Sequence, residues 1–136
     1  MDKYILKEAL KMDNIKECLY SIYHLWLKEL EDNKFYIGIT NYLIEEMGTI
    51  NRINISKIGV HLREGDIFGT LESSDEVYDL TMPLDGEVID VNPRIEKELS
   101  LLMDNPLKIW LIKIKLADED QVYDLLNELE YSNFTV

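Results

Sequence analysis

The sequence offers few side chains whose type and spacing could support catalysis or hold a metal ion. Cys18 is the only cysteine, and the two histidines, His24 and His61, lie far apart in the chain. Because metal sites combine several cysteine, histidine or carboxylate ligands, these three residues make a poor metal set. The serines at 73–74 lack the Gly-x-Ser-x-Gly elbow that exposes a nucleophilic serine. We therefore predict no catalytic residue and no metal site.

The remaining candidates for chemistry are one histidine and two glycines. His24 is flanked by large apolar residues in a predicted strand, which favours a packed, hydrogen-bonded histidine over a general base. Gly65 and Gly69 are too isolated in sequence to cradle a phosphate group. The sequence thus predicts a protein that is not an enzyme. A deep polar pocket around His24 would argue against that prediction.

Net charge gives the first indication of function. Fourteen lysine and arginine residues face 27 aspartate and glutamate residues, which gives a formal charge of −13. Such a surface repels phosphate backbones and anionic membranes, so we predict neither nucleic-acid nor membrane partners. Two explanations of the acidity stay open: it speeds docking onto basic protein surfaces, or it only keeps the protein soluble.

Length and composition predict a single domain. A chain of 136 residues, 46% of them hydrophobic, can bury a core without help from a disulfide or a metal. We find no signal peptide and no apolar run of about 18 residues, so we predict a cytoplasmic location. Residues 1–18 have the apolar spacing of an amphipathic helix, interpreted as an extension before a domain over residues 19–136. This helix either covers one end of the domain or docks on a partner.

Short segments of period two, separated by turn residues, predict that the domain is mainly β. One strand is predicted from Tyr20 to Lys28, and Thr40 and Gly48 are predicted to begin and end a short helix. Further strands are predicted over residues 34–38, 67–73, 77–82, 87–91 and 109–116, and a helical segment over residues 95–103.

The C-terminal segment is predicted to form one helix. Asp118 or Asp120 can cap its N-terminus. Its apolar residues recur at helical spacing and are expected to form one core-facing stripe of Val122, Leu125, Leu126 and Leu129.

Four motifs occur in order along residues 20–134. They are Tyr20-Ser-Ile-Tyr-His24-Leu-Trp26, Gly38-Ile-Thr-Asn-Tyr42, Pro83-Leu-Asp-Gly86-Glu-Val88 and the closing Tyr131-x-x-Phe134. This series resembles the glycine cleavage system H proteins. The resemblance implies an H-protein-type barrel-sandwich hybrid, the fold of lipoyl and biotinyl domains, with an N-terminal and a C-terminal helix. In that family a lipoyl group on a hairpin lysine carries an aminomethyl unit between a decarboxylase and an aminomethyltransferase.

The hairpin that carries this lysine in the family differs in the present sequence. The family pattern Glu-Ser-Val-Lys-Ala-x-Ser-Asp corresponds to Glu72-Ser-Ser-Asp75-Glu-Val-Tyr-Asp79, so aspartate occupies the lysine position. Lipoylation needs an amine that becomes an amide, and no lysine occurs between Lys57 and Lys97. The resemblance therefore implies no cofactor-binding residue here, and we predict that lipoate is absent.

The same hairpin is the predicted partner-binding site. Together with Asp66, its carboxylates are expected to form an acidic tip whose charge steers docking and adds selectivity more than affinity. The alternative is that Asp75 is only a good turn former that keeps the hairpin tight. The predicted partner-binding residues are Glu72, Ser73, Ser74, Asp75, Glu76 and Asp79.

Three further positions correspond to the cavity that receives the loaded arm in the family. His24 and Trp26 are retained, whereas Leu25 replaces a glutamate that helps to hold the amino group of the arm. Asp79 matches another aspartate near the arm. The loop over residues 106–110 is one residue shorter than in the family and lacks its glycines, so its shape is expected to differ.

These observations lead to two functional interpretations. The first is an unlipoylated H-protein-like domain that binds protein partners as a scaffold or regulator. Its expected partners are enzymes of glycine cleavage or of lipoate metabolism. The alternative is a glycine cleavage H protein that acts as an aminomethyl carrier despite the substitution at Asp75. A gain of lipoyl mass on co-expression with a lipoate ligase would distinguish the two.

Overall fold

The structure, a computed structural model, describes residues 18–55 and 58–136. The helical extension predicted over residues 1–18 lies outside the described residues, apart from Cys18. Within the described residues, no helix is both long enough and apolar enough to span a bilayer.

In the described residues, nine strands form two antiparallel sheets, as expected for a chain with many short alternating segments. The larger sheet has the strand order β1-β2-β3-β9-β8-β5. The smaller sheet has the order β4-β6-β7. The strands are β1 (Leu19–Tyr20), β2 (Leu25–Glu31), β3 (Lys34–Ile39), β4 (Ile50–Ile55), β5 (His61–Leu62), β6 (Ile67–Ser73), β7 (Val77–Thr81), β8 (Gly86–Val91) and β9 (Ile112–Leu116).

One hydrophobic core is shared by the two sheets. Alternate residues of β3 and β9 contribute to it, because side chains of a strand alternate between its faces. Leu27 of β2, Phe68 of β6 and Ile114 of β9 are fully buried in the same cluster. The prediction of a mainly β fold with flanking helices is thus confirmed.

The described part of the chain also contains three short α-helices, which lie between or after the strands. They are α1 (Asn41–Met47), α2 (Leu99–Asp104) and α3 (Glu128–Phe134), and 3₁₀ turns cover Pro106–Lys108 and Glu119–Asp124. The caps predicted for α1 are confirmed. The Thr40 hydroxyl accepts a hydrogen bond from the Leu43 N–H at 3.3 Å, and Gly48 ends the helix with φ 76°.

Near the N-terminus, the single strand predicted from Tyr20 to Lys28 is wrong. The chain turns at residues 21–24 instead, and His24 has φ 65°. The Ser21 hydroxyl accepts hydrogen bonds from the backbone N–H groups of Tyr23 (3.2 Å) and Leu25 (3.4 Å). A serine that binds nearby backbone groups in this way competes with strand pairing, so the strand is interrupted here.

The prediction of a single C-terminal helix is also wrong. The segment divides into a 3₁₀ turn and α3, because Asn127 starts a new helix through a capping box with Glu130. As a result Leu129 is 70% exposed, whereas Leu125 and Tyr131 are buried. Two other elements are shorter than predicted: α2 begins at Leu99 rather than at residue 95, and β9 begins at Ile112 rather than at residue 109.

Candidate functional site

The β6–β7 hairpin ends in an exposed turn that presents Asp75 to solvent. The Ser73 N–H donates to the Glu76 carbonyl at 2.9 Å, and the Glu76 N–H donates to the Ser73 hydroxyl at 3.3 Å. These two bonds close the turn from both sides, while Ser74, Asp75 and Glu76 are exposed. The hairpin therefore holds the residue 75 side chain at its outermost point.

Two more predicted residues lie on the outer face of this hairpin. Glu72 pairs with Val77 and Asp79 pairs with Thr70, so these side chains lie on the face opposite to the buried residues of β6 and β7. Glu72 lies opposite Arg52 of β4 in the strand register. The exposed carboxylates of the turn are those of Asp75 and Glu76, and Asp79 is exposed further along β7.

Asp66 does not belong to this acidic tip, in contrast to the prediction. It precedes β6, and its carboxylate accepts a hydrogen bond from the Arg63 N–H at 2.8 Å. Because a strand rises about 3.3 Å per residue, the length of β6 separates Asp66 from the turn by roughly 20 Å. Asp66 closes the opposite end of the hairpin.

His24 lies in an aromatic cluster under α3. Its Nδ1 hydrogen-bonds to the Tyr131 hydroxyl at 2.8 Å, and that hydroxyl hydrogen-bonds to Thr40 Oγ1 at 2.8 Å. The imidazole packs against Tyr42, with ring centroids 4.7 Å apart, and lies 5.9 Å from the ring of Phe134. Burial lowers the pKa of His24 although the charge of Glu46 acts in the opposite direction. His24 is therefore a packed, neutral link between α1 and α3.

The three predicted cavity positions do not share one cavity. Leu25 is fully buried in the core between the sheets. Trp26 faces the other side of β2, where its Nε1 donates to the Pro106 carbonyl at 2.9 Å and its ring lies over Gly38. His24 is held by Tyr131. Leu25 thus lies in the core between the sheets, whereas Trp26 and Tyr131, the partner of His24, share a second cluster.

Two tyrosines that the sequence reasoning missed connect the His24 turn to the hairpin. The Tyr78 hydroxyl of β7 donates to the Tyr23 carbonyl at 2.8 Å, and the Tyr23 hydroxyl donates to Glu64 Oε2 at 2.7 Å. The bond to this carboxylate raises the pKa of Tyr23. Tyr78 lies between exposed residues of β7, and this alternation could have indicated that its side chain is half-buried. A half-buried tyrosine needs a hydrogen-bond partner for its hydroxyl. The tyrosines fix the hairpin relative to the larger sheet.

In the described part of the chain, the histidine, cysteine and carboxylate side chains form no group of three or more that could hold a metal ion. The hairpin presents exposed carboxylates, and the bond from Tyr78 to the Tyr23 carbonyl joins it to the turn that contains His24.

Replacing His24 by glutamine should reduce the pH dependence of stability. Because the pKa of His24 in the folded protein lies below the ordinary histidine value of 6.5, the unfolded chain binds the proton more readily. The contribution of His24 to the stability of the folded protein is therefore present above pH 6.5. It is lost as the pH falls through and below 6.5. Wild type should thus lose more stability than His24→Gln between about pH 8 and about pH 5.5 in urea unfolding. The lost hydrogen bond should cost about 1 kcal/mol at neutral pH.

His61→Gln is the matched control for this prediction. The side chain of His61 is 81% exposed, and its nearest charged partner is Glu87 at 3.7 Å. This variant should retain the wild-type pH profile. Equal profiles for wild type and His24→Gln would contradict the packed, neutral role of His24.

Comparison with known proteins identifies relatives along nearly the whole chain. The glycine cleavage system H protein 1 of Caldanaerobacter subterraneus subsp. tengcongensis is 36% identical over 123 residues, which is 90% of this chain and 98% of the relative. The glycine cleavage system H protein of Clostridioides difficile is 35% identical over 120 residues, or 88% and 96% of the two chains. A crystal structure of a glycine cleavage system H protein from Mycobacterium marinum superposes with a TM-score of 0.75. At 23% identity, covering 87% of this chain and 95% of that one, this likeness confirms the predicted fold.

The prediction that lipoate is absent is contradicted by these relatives. They are glycine cleavage H proteins over about the full domain, and lipoate is the cofactor that the resemblance associates with such proteins. The prediction extended an observation at Asp75 to the whole protein. The absence of an amine at residue 75 shows only that no lipoyl amide forms at that residue. At the described tip, residues 73–76 provide hydroxyl and carboxylate groups, so we assign no covalent step through a lipoyl group to this turn.

A family model supports the same relationship independently of single relatives. The model described as glycine cleavage H-protein matches residues 18–136, which include every strand and helix described above. The order of motifs, the two-sheet architecture and the similarity of whole-length relatives agree with that match. The chain therefore belongs to the glycine cleavage H-protein family.

Proposed function

We propose that this chain is a docking component of the glycine cleavage system that performs no catalysis itself. It binds an enzyme partner, as a scaffold or regulator, by placing the tip of the β6–β7 hairpin on a basic surface. The observation that carries this proposal is the exposure of Asp75 and Glu76 at the end of the hairpin, with the exposed Asp79 on the outer face of β7. Charges at an exposed tip accelerate encounter and select partners.

Rigidity of the hairpin supports this function. β6 pairs with β4 on one side and with β7 on the other, and the bond from Tyr78 to the Tyr23 carbonyl ties β7 to the larger sheet. A surface that is ordered before binding loses less conformational freedom on association. The tip can thus dock without first being ordered by the partner.

The domain boundaries and the cellular location of the protein belong to the same proposal. We assign the docking domain to residues 19–136 and the preceding residues 1–18 to an extension, in agreement with a family match that starts at residue 18. A cytoplasmic location, where enzymes of glycine cleavage or lipoate metabolism are available as partners, fits the bacterial H-protein relatives.

Charge reversal at the tip tests the docking proposal. Asp75→Arg should weaken binding to a purified glycine cleavage decarboxylase, aminomethyltransferase or lipoate ligase by about tenfold at low salt, and by less at high salt. Binding is measured by surface plasmon resonance over a salt series. The change should lie mainly in the association rate, because exposed charge acts on encounter.

Glu96→Arg is the matched control, since it makes the same change of net charge at an exposed position in the loop after β8. Equal weakening by both variants would show a general charge effect and contradict docking through the tip. Binding of none of the three enzymes by wild type would remove the proposal for these partners.

A second candidate function is the aminomethyl carrier role that the resemblance implies. The relatives, 35–36% identical over about nine-tenths of the chain, favour it. The test is glycine cleavage by purified decarboxylase, aminomethyltransferase and dihydrolipoyl dehydrogenase with this chain as the sole H protein. Turnover would establish the carrier, whereas binding without turnover would support the docking component.

A further inference from the structure

A cluster of lysines lies on the outer face of the larger sheet, away from the hairpin. In β3 and β9, Lys34 pairs with Lys115 and Tyr36 pairs with Lys113. Lys28 of β2 pairs with Tyr36 from the other side. These residues alternate with core residues, so all of them lie on the same outer face. We call the group Lys28, Lys34, Lys113 and Lys115 the lysine face.

The lysine face is unexpected in a chain of net charge −13. It holds four of the six lysines within residues 18–55 and 58–136. In this part of the chain, the ion pairs join Arg94 to Glu98 and His61 to Glu87, and none of them involves the lysine face. Like charges on adjacent strands disfavour each other. An anionic partner would remove this repulsion.

Aromatic rings lie between the lysines. Tyr36 and Trp110 are stacked with centroids 4.9 Å apart, and both are half-buried. The Asn92 side chain donates to the Trp110 carbonyl at 2.8 Å and so holds the residue in place. Lys28 lies 5.0 Å from the centroid of Trp26 and donates to the Leu107 carbonyl at 2.9 Å. The lysine face therefore surrounds a fixed platform on which another ring can pack.

The sign of the charge changes at the next strand. Glu87 and Asp90 of β8 pair with Lys115 and Lys113 across the sheet, and Glu31 of β2 pairs with Lys34, so carboxylates border the lysine face on both sides. A long polyanion would cross this border and meet the carboxylates, and a second copy of the chain would bring another −13 charges. A short acidic segment fits within the border.

We infer that the lysine face is a docking site for an acidic, aromatic-containing extended segment of a partner protein. Alternate residues of an extended segment are about 7 Å apart, which matches Lys113 and Lys115 two residues apart on β9. Carboxylates at alternate positions would face these lysines, and an aromatic side chain would pack on Tyr36 and Trp110. The inference does not depend on the hairpin. It gives the molecule two docking surfaces of opposite charge.

Peptide binding tests this inference on the full chain. The probe is a fluorescein-labelled peptide of about ten residues, alternating glutamate and tyrosine, with fluorescence anisotropy as the readout. Lys113→Glu with Lys115→Glu should weaken binding by about tenfold or more, because two attractions become repulsions. Arg63→Glu with Lys97→Glu makes the same net-charge change at exposed sites elsewhere and should stay within about twofold of wild type.

Further probes and variants decide the chemistry of the occupant. A glutamate–serine peptide should bind more weakly than the glutamate–tyrosine peptide, and equal binding would overturn the aromatic part of the inference.

Lys113→Gln with Lys115→Gln should give an intermediate loss even if the reversed variant fails to fold, which circular dichroism would show. The inference is overturned if the control double variant weakens binding equally. It is also overturned if a single-stranded oligonucleotide of equal charge binds more tightly, or if wild type forms a dimer that the lysine variants abolish.

Discussion

Replacing Asp75 by lysine is expected to create an acylation site at the hairpin tip. The turn is closed by the backbone and hydroxyl of Ser73 together with the Glu76 backbone, so the residue 75 side chain is not needed to keep its shape. A lysine there would be exposed, and its neutral amine would attack the acyl carbon of a lipoyl-adenylate, so that an amide forms while the acyl–phosphate bond breaks and AMP and a proton leave. Incubation of Asp75→Lys with a lipoate ligase, lipoate and ATP should add one lipoyl group to the peptide that contains residue 75, as seen by mass spectrometry.

Matched variants separate the amine from its charge and its position. Asp75→Arg introduces the same charge without a primary amine and should gain no mass on this peptide. Ser74→Lys moves the amine to the neighbouring exposed position and should react more slowly, because the ligase must meet the lysine at the outermost point of the turn. Wild type, treated in parallel, shows whether any other amine of the chain is acylated. Failure of Asp75→Lys to react would show that residue 75 alone does not determine the acceptor.

The elements that the sequence predicted correctly are those defined by local chemistry. Thr40 caps α1 through its own hydroxyl, and Gly48 supplies the positive φ that ends the helix. β6 was predicted with its observed bounds, since its alternating pattern ends at polar turn residues. Each of these signals lies within a few neighbouring residues.

Two errors have local causes that the spacing of apolar residues does not show: the Ser21 hydroxyl binds the backbone of Tyr23 and Leu25, and Asn127 starts a new helix. Distant residues also matter, because His24 at the strand interruption hydrogen-bonds to Tyr131, which lies 107 positions further along the chain. The lysine face was missed for a related reason. It forms only when β9 pairs with β3, two strands that are far apart in sequence. Periodicity within one strand does not reveal which strand will be its neighbour.

The structure gives a physical reason for an apolar residue at position 25, where the resemblance implies a glutamate. The resemblance to the family led to the prediction that Leu25 occupies a cavity position, because the family pattern has a glutamate at that position. The structure instead places Leu25 among the fully buried residues of the central core, whereas its neighbours His24 and Trp26 bind Tyr131 and Pro106. An apolar residue at this position is thus required by packing in this chain. Restoring the family glutamate would oppose the core.

Leu25→Glu is therefore expected to destabilise the protein severely. It removes a fully buried leucine and places a carboxyl group in an apolar core, at a combined cost of about 5 kcal/mol, comparable to the whole stability of many domains. Burial raises the pKa of such a carboxyl group, so the unfolded chain releases its proton more readily and the destabilisation should grow as the pH rises.

The control for Leu25→Glu is its neutral isostere. Leu25→Gln should lose stability through packing and an unpaired amide, but the loss should not change between about pH 5.5 and about pH 8, whereas the gap between the two variants should widen over that range. Leu25→Met preserves volume and should cost less than about 1.5 kcal/mol. Urea unfolding followed by circular dichroism measures all three variants. A cost of less than about 1 kcal/mol for Leu25→Glu would show that the side chain reaches solvent, as a residue of an open cavity would. The position would then be one where a cation-binding carboxylate can be restored, and the core assignment of Leu25 would be wrong.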